Sequence, residues 1–330
     1  VVAGIDAIFD GVATADEFFR FDVNNSSSLT VSDVVKTRKT ILTTPAEETD
    51  YVTATTQMKN LDYKTQGRYV VKDDGSVIFD WTAAGFSFNA DLYGDVVLNL
   101  QQAPNDSRWY TVVVDGVEKD LKISGNTKQD VVIAKNLPSG VHSIGFYKQQ
   151  EGGNTITINS LTINGKVLKS DDQGDLLIEF IGDSITCGAG NKVKDGESLS
   201  GHYEDGYNAY GTVTARLLDA DWSNISVSGS SLIDDRDREP TRYHMPTEYS
   251  HAIKGKSSTQ SDYEWNFETN RNADIVVINL GTNDNGFIHL YSGVDTSSKT
   301  EYFKNLAIDF AHQIIEANGE DVKIVFAFYF

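Results

Sequence analysis

Cysteine is almost missing from this chain. A single thiol, Cys187, stands among 330 residues, so no internal disulfide can form, and the count leaves the compartment open. Basic residues are scarce too: 28 Lys and Arg face 48 Asp and Glu, a formal net charge of −20. Such a surface repels nucleic acid and anionic membrane, which argues against both as partners. A neutral polysaccharide meets no such repulsion. No apolar run is long enough to span a membrane, and no signal-peptide pattern opens the chain. It begins Val1-Val2-Ala3 without a methionine, so a processed or excised start is expected. It ends "KIVFAFYF", an apolar β-like run, and natural ends are usually surface segments. A domain cut short at Phe330 is therefore expected. What is present is enough apolar material, 39% hydrophobic and 11% aromatic, for a folded chain of two or three domains.

Residues 1–45 read as helical pieces around a polar loop. "ADEFFRF" and "DVVKTRKTIL" carry apolar residues at helical spacing. Between them runs "DVNNSSSLTVSD". An EF-hand-type loop takes oxygen ligands at positions one, three, five, seven, nine and twelve. Here these are Asp22, Asn24, Ser26, Ser28 through its carbonyl, Thr30 and Asp33. The segment resembles one repeat of a dockerin, the calcium-dependent plug of cellulosome enzymes. That family has two repeats and prefers Asp and Gly where Ser26 and Ser27 stand, which weakens calcium binding. The competing reading is a Ser/Asn-rich turn with Ser32 capping the next helix. "TTPAEETDYVTATTQ" is Thr-rich with Pro45, and residues 46–62 read as a linker.

From 63 to 172 the hydrophobic period becomes two. "SVIFDW", "FSFNADL", "DVVLNLQ", "WYTVVVDG", "DVVIAKNL", "HSIGFYKQ" and "TITINSLTING" are short β-branched or aromatic runs. Turn residues separate them, which predicts an antiparallel β-sandwich of the jelly-roll kind. Asp115-Gly116 predicts a tight hairpin. Trp81 and Trp109 are expected in the core rather than on a sugar-binding face. From 173 to 330 strands alternate with helices: "DLLIEFIG", "YNAYGTVTARLLDA", "SNISVSG", "ADIVVINLG", "EYFKNLAIDFAHQIIEANG" and "VKIVFAFYF". This predicts a three-layer, doubly wound α/β domain, short of its C-terminal part. Ser230 to Asn272 is polar and irregular, as expected of a loop around an active-site mouth.

Ligands of open parallel sheets bind beyond the carboxyl ends of the strands. The first strand there ends in Gly182-Asp183-Ser184, the second in Ser228-Gly229 and the third in Gly281-Thr282-Asn283-Asp284. A hydroxyl, a glycine amide and a carboxamide thus share one rim. Acyl transfer needs a nucleophile and donors aimed at a developing oxyanion. Ser184 is expected at the start of a helix, whose free amides favour negative charge. Cys187, one turn into that helix, is expected to pack rather than react. Asp183 and Asp284 are expected to hold turns.

"GDSIT", the glycine of "SVSGSS" and "GTND" resemble three blocks of the SGNH, or GDSL-type, hydrolases. With "YGTVTARLL", "WNFETNRNADIVVINLGTND" and the preceding sandwich, residues 67–330 resemble carbohydrate esterase family two. That family joins a jelly roll to an SGNH domain and removes acetyl groups from plant polysaccharides. The resemblance implies Ser184 as nucleophile, with its own amide, the Gly229 amide and the Asn283 side chain as the oxyanion hole. It also implies an Asp-x-x-His motif supplying the base near the C-terminus. No such motif follows Asn283, so the base is expected beyond Phe330. His289 is the best internal candidate. His202, His244 and His251 fall in loops around the second strand, His142 in the sandwich and His312 in a helix.

The resulting expectation is a secreted, modular serine esterase that deacetylates xylan- or mannan-type polysaccharide. Its chemistry needs no cofactor, structural calcium is confined to the N-terminal segment, and a cohesin-like scaffold is the candidate partner for that segment. One rival is a catalytically inactive carbohydrate-binding protein on the same fold. The other is an SGNH lipase or thioesterase, which the polar "DDRDRE" loop disfavours.

Overall fold

The computed structural model describes residues 51–102, 107–152, 155–170, 174–197, 203–234, 243–254, 263–285 and 296–327. The proposed calcium loop from Asp22 to Asp33 lies outside them, as do His202 and His289.

The first half is an antiparallel β domain of nine strands: β1 (Thr53–Gln57), β2 (Lys64–Gln66), β3 (Tyr69–Val71), β4 (Val77–Phe79), β5 (Gly85–Gln102), β6 (Arg108–Val114), β7 (Val117–Ile123), β8 (Gln129–Lys148) and β9 (Ile156–Val167). The order β3-β4-β9-β5-β8-β6-β7 carries β1 on β9 and β2 on β5. Alternation along β5 buries Phe86, Phe88, Ala90, Leu92, Val96, Leu98 and Leu100 on one face. Phe86 stacks on Phe79, and Tyr110 on Phe146, which closes the core with aromatic surface. Trp81 is fully buried there, as expected.

Two sequence expectations change here. "FSFNADL" and "DVVLNLQ" are one continuous strand, β5, and "DVVIAKNL" and "HSIGFYKQ" are one strand, β8. Gly94 (φ +94°) in the first pair of runs and Pro138-Ser139-Gly140 in the second read as turn punctuation. The chain instead absorbs them as register breaks between Leu92 and Val97. The expected linker, 46–62, also contains β1, which pairs with β9 from Thr53–Asn164 to Gln57–Ser160. Its threonines suit a strand. The Asp115-Gly116 hairpin forms as expected, with both residues at positive φ (+51° and +78°), the signature of a type I′ turn.

The second half holds β10 (Leu177–Gly182), α1 (Tyr210–Leu217), β11 (Asp221–Ser226), α2 (Met245–Glu248), β12 (Ile275–Asn279), α3 (Thr296–Asn318) and β13 (Lys323–Phe326). The four strands pair in parallel in the order β11-β10-β12-β13. The order reverses at β10, so the switch-point crevice opens between β10 and β12. Asn318 and Gly319 end α3 as expected, with Gly319 at φ +99° donating its N–H to the Ile315 carbonyl at 2.8 Å.

The two halves meet over a buried polar seam. Arg68, from the β domain, is 1% exposed and reaches the Glu179 carboxylate of β10 at 3.2 Å. Ser223 donates to the same carboxylate at 2.8 Å. The Arg68 guanidinium lies over the Tyr249 ring and donates to the His251 carbonyl at 3.1 Å. Lys64 and Gln66 bind Asp221 at the start of β11, and the Gly67 N–H donates to the Trp222 carbonyl.

Candidate active site

β10 is buried along nearly its whole length, as a central parallel strand should be. It stops at Gly182, where any side chain would collide with its surroundings. An added Cβ would sit 2.0 Å from Thr186 Oγ1 and 2.8 Å from the Asn279 carbonyl oxygen. Asp183 then turns inward, fully buried. Its Oδ1 accepts the Ile185 N–H at 3.0 Å, and its Oδ2 accepts from Asn283 Nδ2 at 3.2 Å. Burial pushes the Asp183 carboxyl pKa up. Ser184 follows, half-buried, with Ile185 41% exposed beside it.

The helix expected to begin at Ser184 is absent. Residues 184–192 form successive turns instead. Cys187 N–H bonds the Asp183 carbonyl, Gly188 N–H the Ile185 carbonyl and Ala189 N–H the Ser184 carbonyl, so no single helical spacing repeats. The cause is local: Gly188 and Gly190 take φ +75° and +84°, outside the right-handed helical region. Ser184 therefore draws on no helix dipole. Cys187 is packed, as expected. It is fully buried, with Sγ 3.2 Å from Ser226 Oγ, and burial followed by the charge of Glu151 raises its thiol pKa well above the ordinary value.

Gly182 lies level with Ser226 on one side and with Asn279 on the other. Ser184, Gly229 and Asn283 thus stand two, three and four residues past the same level on three adjacent strands. Residues 227–230 form a turn closed by the Ser230 N–H on the Val227 carbonyl at 3.2 Å. Gly229 has φ +82°, whereas Ser228 is not at positive φ, which makes it a type II turn. Asn283 sits in a helical turn after β12. Its Nδ2 donates to the Ser230 carbonyl at 2.9 Å as well as to Asp183. One carboxamide therefore touches the residue before Ser184 and the residue after Gly229. Asp284 is fully buried, and its Oδ1 accepts the Leu232 and Ile233 N–H groups at 2.9 and 2.8 Å, the turn-holding role expected of it.

Among the described residues, no side chain bonds Ser184 Oγ. His142 is held by Asp115 and the Pro138 carbonyl in the β domain. His251 lies buried between Glu248 and Glu264. His312 is exposed on α3. His244, bonded to Thr247 Oγ1, bridges to Ser231, two residues beyond Gly229.

One group beside the rim was not legible in the sequence. Glu151, from the β domain, accepts the Ser228 N–H on Oε2 at 2.6 Å. Its own N–H donates to Glu204 Oε2 at 2.9 Å. Burial, then the charge of Glu151, raises the Glu204 pKa to about 7. The fully buried Lys148 donates to the Asp80 and Glu151 carbonyls, and burial lowers its pKa to about 8.

Two families match this chain side by side. Residues 65–170 match the carbohydrate esterase 2 N-terminal family, and residues 180–329 match the GDSL-like lipase/acylhydrolase family. A cellulase/esterase, CelE, of Acetivibrio thermocellus is 28% identical over 221 residues, 66% of this chain and 26% of its own. An acetylxylan esterase / glucomannan deacetylase of Cellvibrio japonicus is 25% identical over 224 residues, 67% of this chain and 61% of its own. The chain thus spans about a quarter and about three fifths of these two relatives. A solved family two carbohydrate esterase from Cellvibrio japonicus shares the fold with TM-score 0.70 at 22% identity, covering 83% of this chain and 78% of the other.

Proposed function

We propose, from the premise that this chain joins a carbohydrate esterase 2 N-terminal domain to a GDSL-like lipase/acylhydrolase domain, that it is a serine esterase removing O-acetyl groups from plant cell-wall polysaccharide of the xylan or mannan type. Ser184 Oγ attacks the acetyl carbonyl and gives its proton to a base, which the resemblance assigns to histidine. The negative charge that develops on the carbonyl oxygen meets the Ser184 amide, the Gly229 amide and the Asn283 carboxamide, one N–H of which leaves Asp183 or Ser230 to do so. Collapse releases the sugar hydroxyl and leaves acetyl on Ser184. Water then cleaves that ester to acetate. No step calls for a metal or an organic cofactor. The substrate class is supported by the similarity to an acetylxylan esterase / glucomannan deacetylase and to a cellulase/esterase, and by a net charge that leaves a neutral glycan unopposed.

The observation that carries this reading is the Asn283 carboxamide, which links the neighbours of Ser184 and Gly229 at the switch point of the sheet. Release of acetate from acetylated xylan and glucomannan, and hydrolysis of p-nitrophenyl acetate, test it. Ser184→Ala should abolish all three activities. Binding of xylan without any Ser184-dependent hydrolysis would instead identify a carbohydrate-binding protein. Secretion, calcium at Asp22, Asn24, Ser26, Ser28 and Asp33, and docking to a cohesin-like scaffold belong to the same proposal. Calcium predicts a melting transition of the N-terminal segment that EDTA removes.

A further inference from the structure

Gly229 has to sit at φ +82° for the Val227–Ser230 turn, yet glycine alone does not select that turn. Without a Cβ it enters left- and right-handed regions about equally. A type I turn over the same four residues differs mainly by a flip of the central peptide. That peptide carries the Ser228 carbonyl and the Gly229 N–H. A flip would exchange a donor for an acceptor at the rim. Where that peptide lies at the rim depends on how the turn as a whole is held, and the holding comes from outside it.

The turn is pinned from outside at three points. The Val227 N–H donates to the Gly182 carbonyl at 3.3 Å. The Ser230 carbonyl accepts from Asn283. The Ser228 N–H donates to Glu151 Oε2 at 2.6 Å, a charge-assisted bond of the stronger kind. The Glu151 bond acts on the residue that precedes the central peptide, and its acceptor lies 77 positions away in the other domain. Glu151 is in turn held by Glu204 at its N–H, by Lys148 at its carbonyl and by the Cys187 thiol, 3.6 Å from Oε2. Among the described residues the Gly229 N–H has no partner of its own, which leaves it available to a ligand.

We propose that Glu151 of the β domain is a positioning residue for the oxyanion site: its carboxylate holds the Ser228 N–H and so anchors the whole Val227–Ser230 turn, with its Gly229 N–H, at the rim beside Ser184. This rests on the esterase reading above. It makes the β domain part of the catalytic apparatus through one hydrogen bond.

The experiment compares Glu151→Ala and Glu151→Gln in the full chain. Gln keeps a carbonyl oxygen where the carboxylate stands, and Ala removes the acceptor. With p-nitrophenyl acetate, Glu151→Ala should lower kcat about 10- to 100-fold with little change in KM, short of or equal to the loss of a whole oxyanion donor. Glu151→Gln should recover most of it. In 1H–15N spectra of protein labelled at serine and glycine, the Ser228 amide should move upfield in Glu151→Ala and the Gly229 amide should shift with it. Wild-type kcat in a folded Glu151→Ala, or unmoved Ser228 and Gly229 amides, overturns the proposal. Equal losses in the Ala and Gln variants also overturn it, since a bond that either oxygen can accept would then not be the cause. If wild type shows no Ser184-dependent hydrolysis, the esterase reading falls, and with it the catalytic role of Glu151.

Discussion

At the scale of single residues, the rim depends on groups with no substitute nearby. Asn283 uses both N–H groups of its amide to tie Asp183 to Ser230, and in the proposed reaction one of them turns to the oxyanion. Asn283→Ala should lower kcat on p-nitrophenyl acetate by about 100- to 1,000-fold, the usual loss for one oxyanion donor. Asn283→Asp should not rescue it, because a second carboxylate would face buried Asp183. Gly182 is constrained by space rather than chemistry. Gly182→Ala places a Cβ against Thr186 and the backbone of β12, and overpacking of this kind costs about 1–3 kcal/mol. The measurement is the midpoint of urea unfolding, expected to fall without a change in slope.

At the scale of elements, the parallel sheet was legible because its signal is strong. β10 and β12 are short apolar runs that end at glycine, and α3 carries its own stop signal in Asn318-Gly319. The three rim residues could be read because a parallel sheet puts all its carboxyl ends on one side. The turns after Ser184 were misread because "SITCGAG" looks like a capped helix start, while its two glycines adopt positive φ. The β domain is over-divided at Gly94 and at Pro138-Ser139-Gly140, where a local turn signal loses to the pairing of β5 with β8 and β9. Glu151 could not be found at all. Its role depends on a contact across 77 residues, and "KQQEGGN" reads as an ordinary polar loop. That loop also bears on pH. Glu204 is raised from 4.5 to about 7 by burial and by Glu151, against the opposing pull of Lys148 and Arg108, with the Cys187 thiol close to Glu151. A carboxyl raised in the folded state favours folding below its unfolded pKa, and that advantage is lost as pH climbs from about 4.5 to about 7. Glu204→Gln should therefore melt higher than wild type at pH 8 and show no such gain at pH 4. Thermal unfolding across that range checks the sign.

At the scale of the whole molecule, the two domains share their most costly interactions. Arg68 and Glu179 come from different halves, and both are almost wholly removed from water. Deleting one partner strands the other charge, at about 3–5 kcal/mol. Arg68→Met should lose about that much in chemical denaturation, and Arg68→Met with Glu179→Met should recover a large part, since well-packed apolar pairs often replace buried ions without loss. The same seam has a practical reach. Because Lys64, Gln66, Gly67 and Arg68 grip β10 and β11 directly, a chain nicked between β9 and β10 should elute as one particle rather than two. The halves, produced separately, are candidates for reassembly as a split pair whose rejoining is read by size.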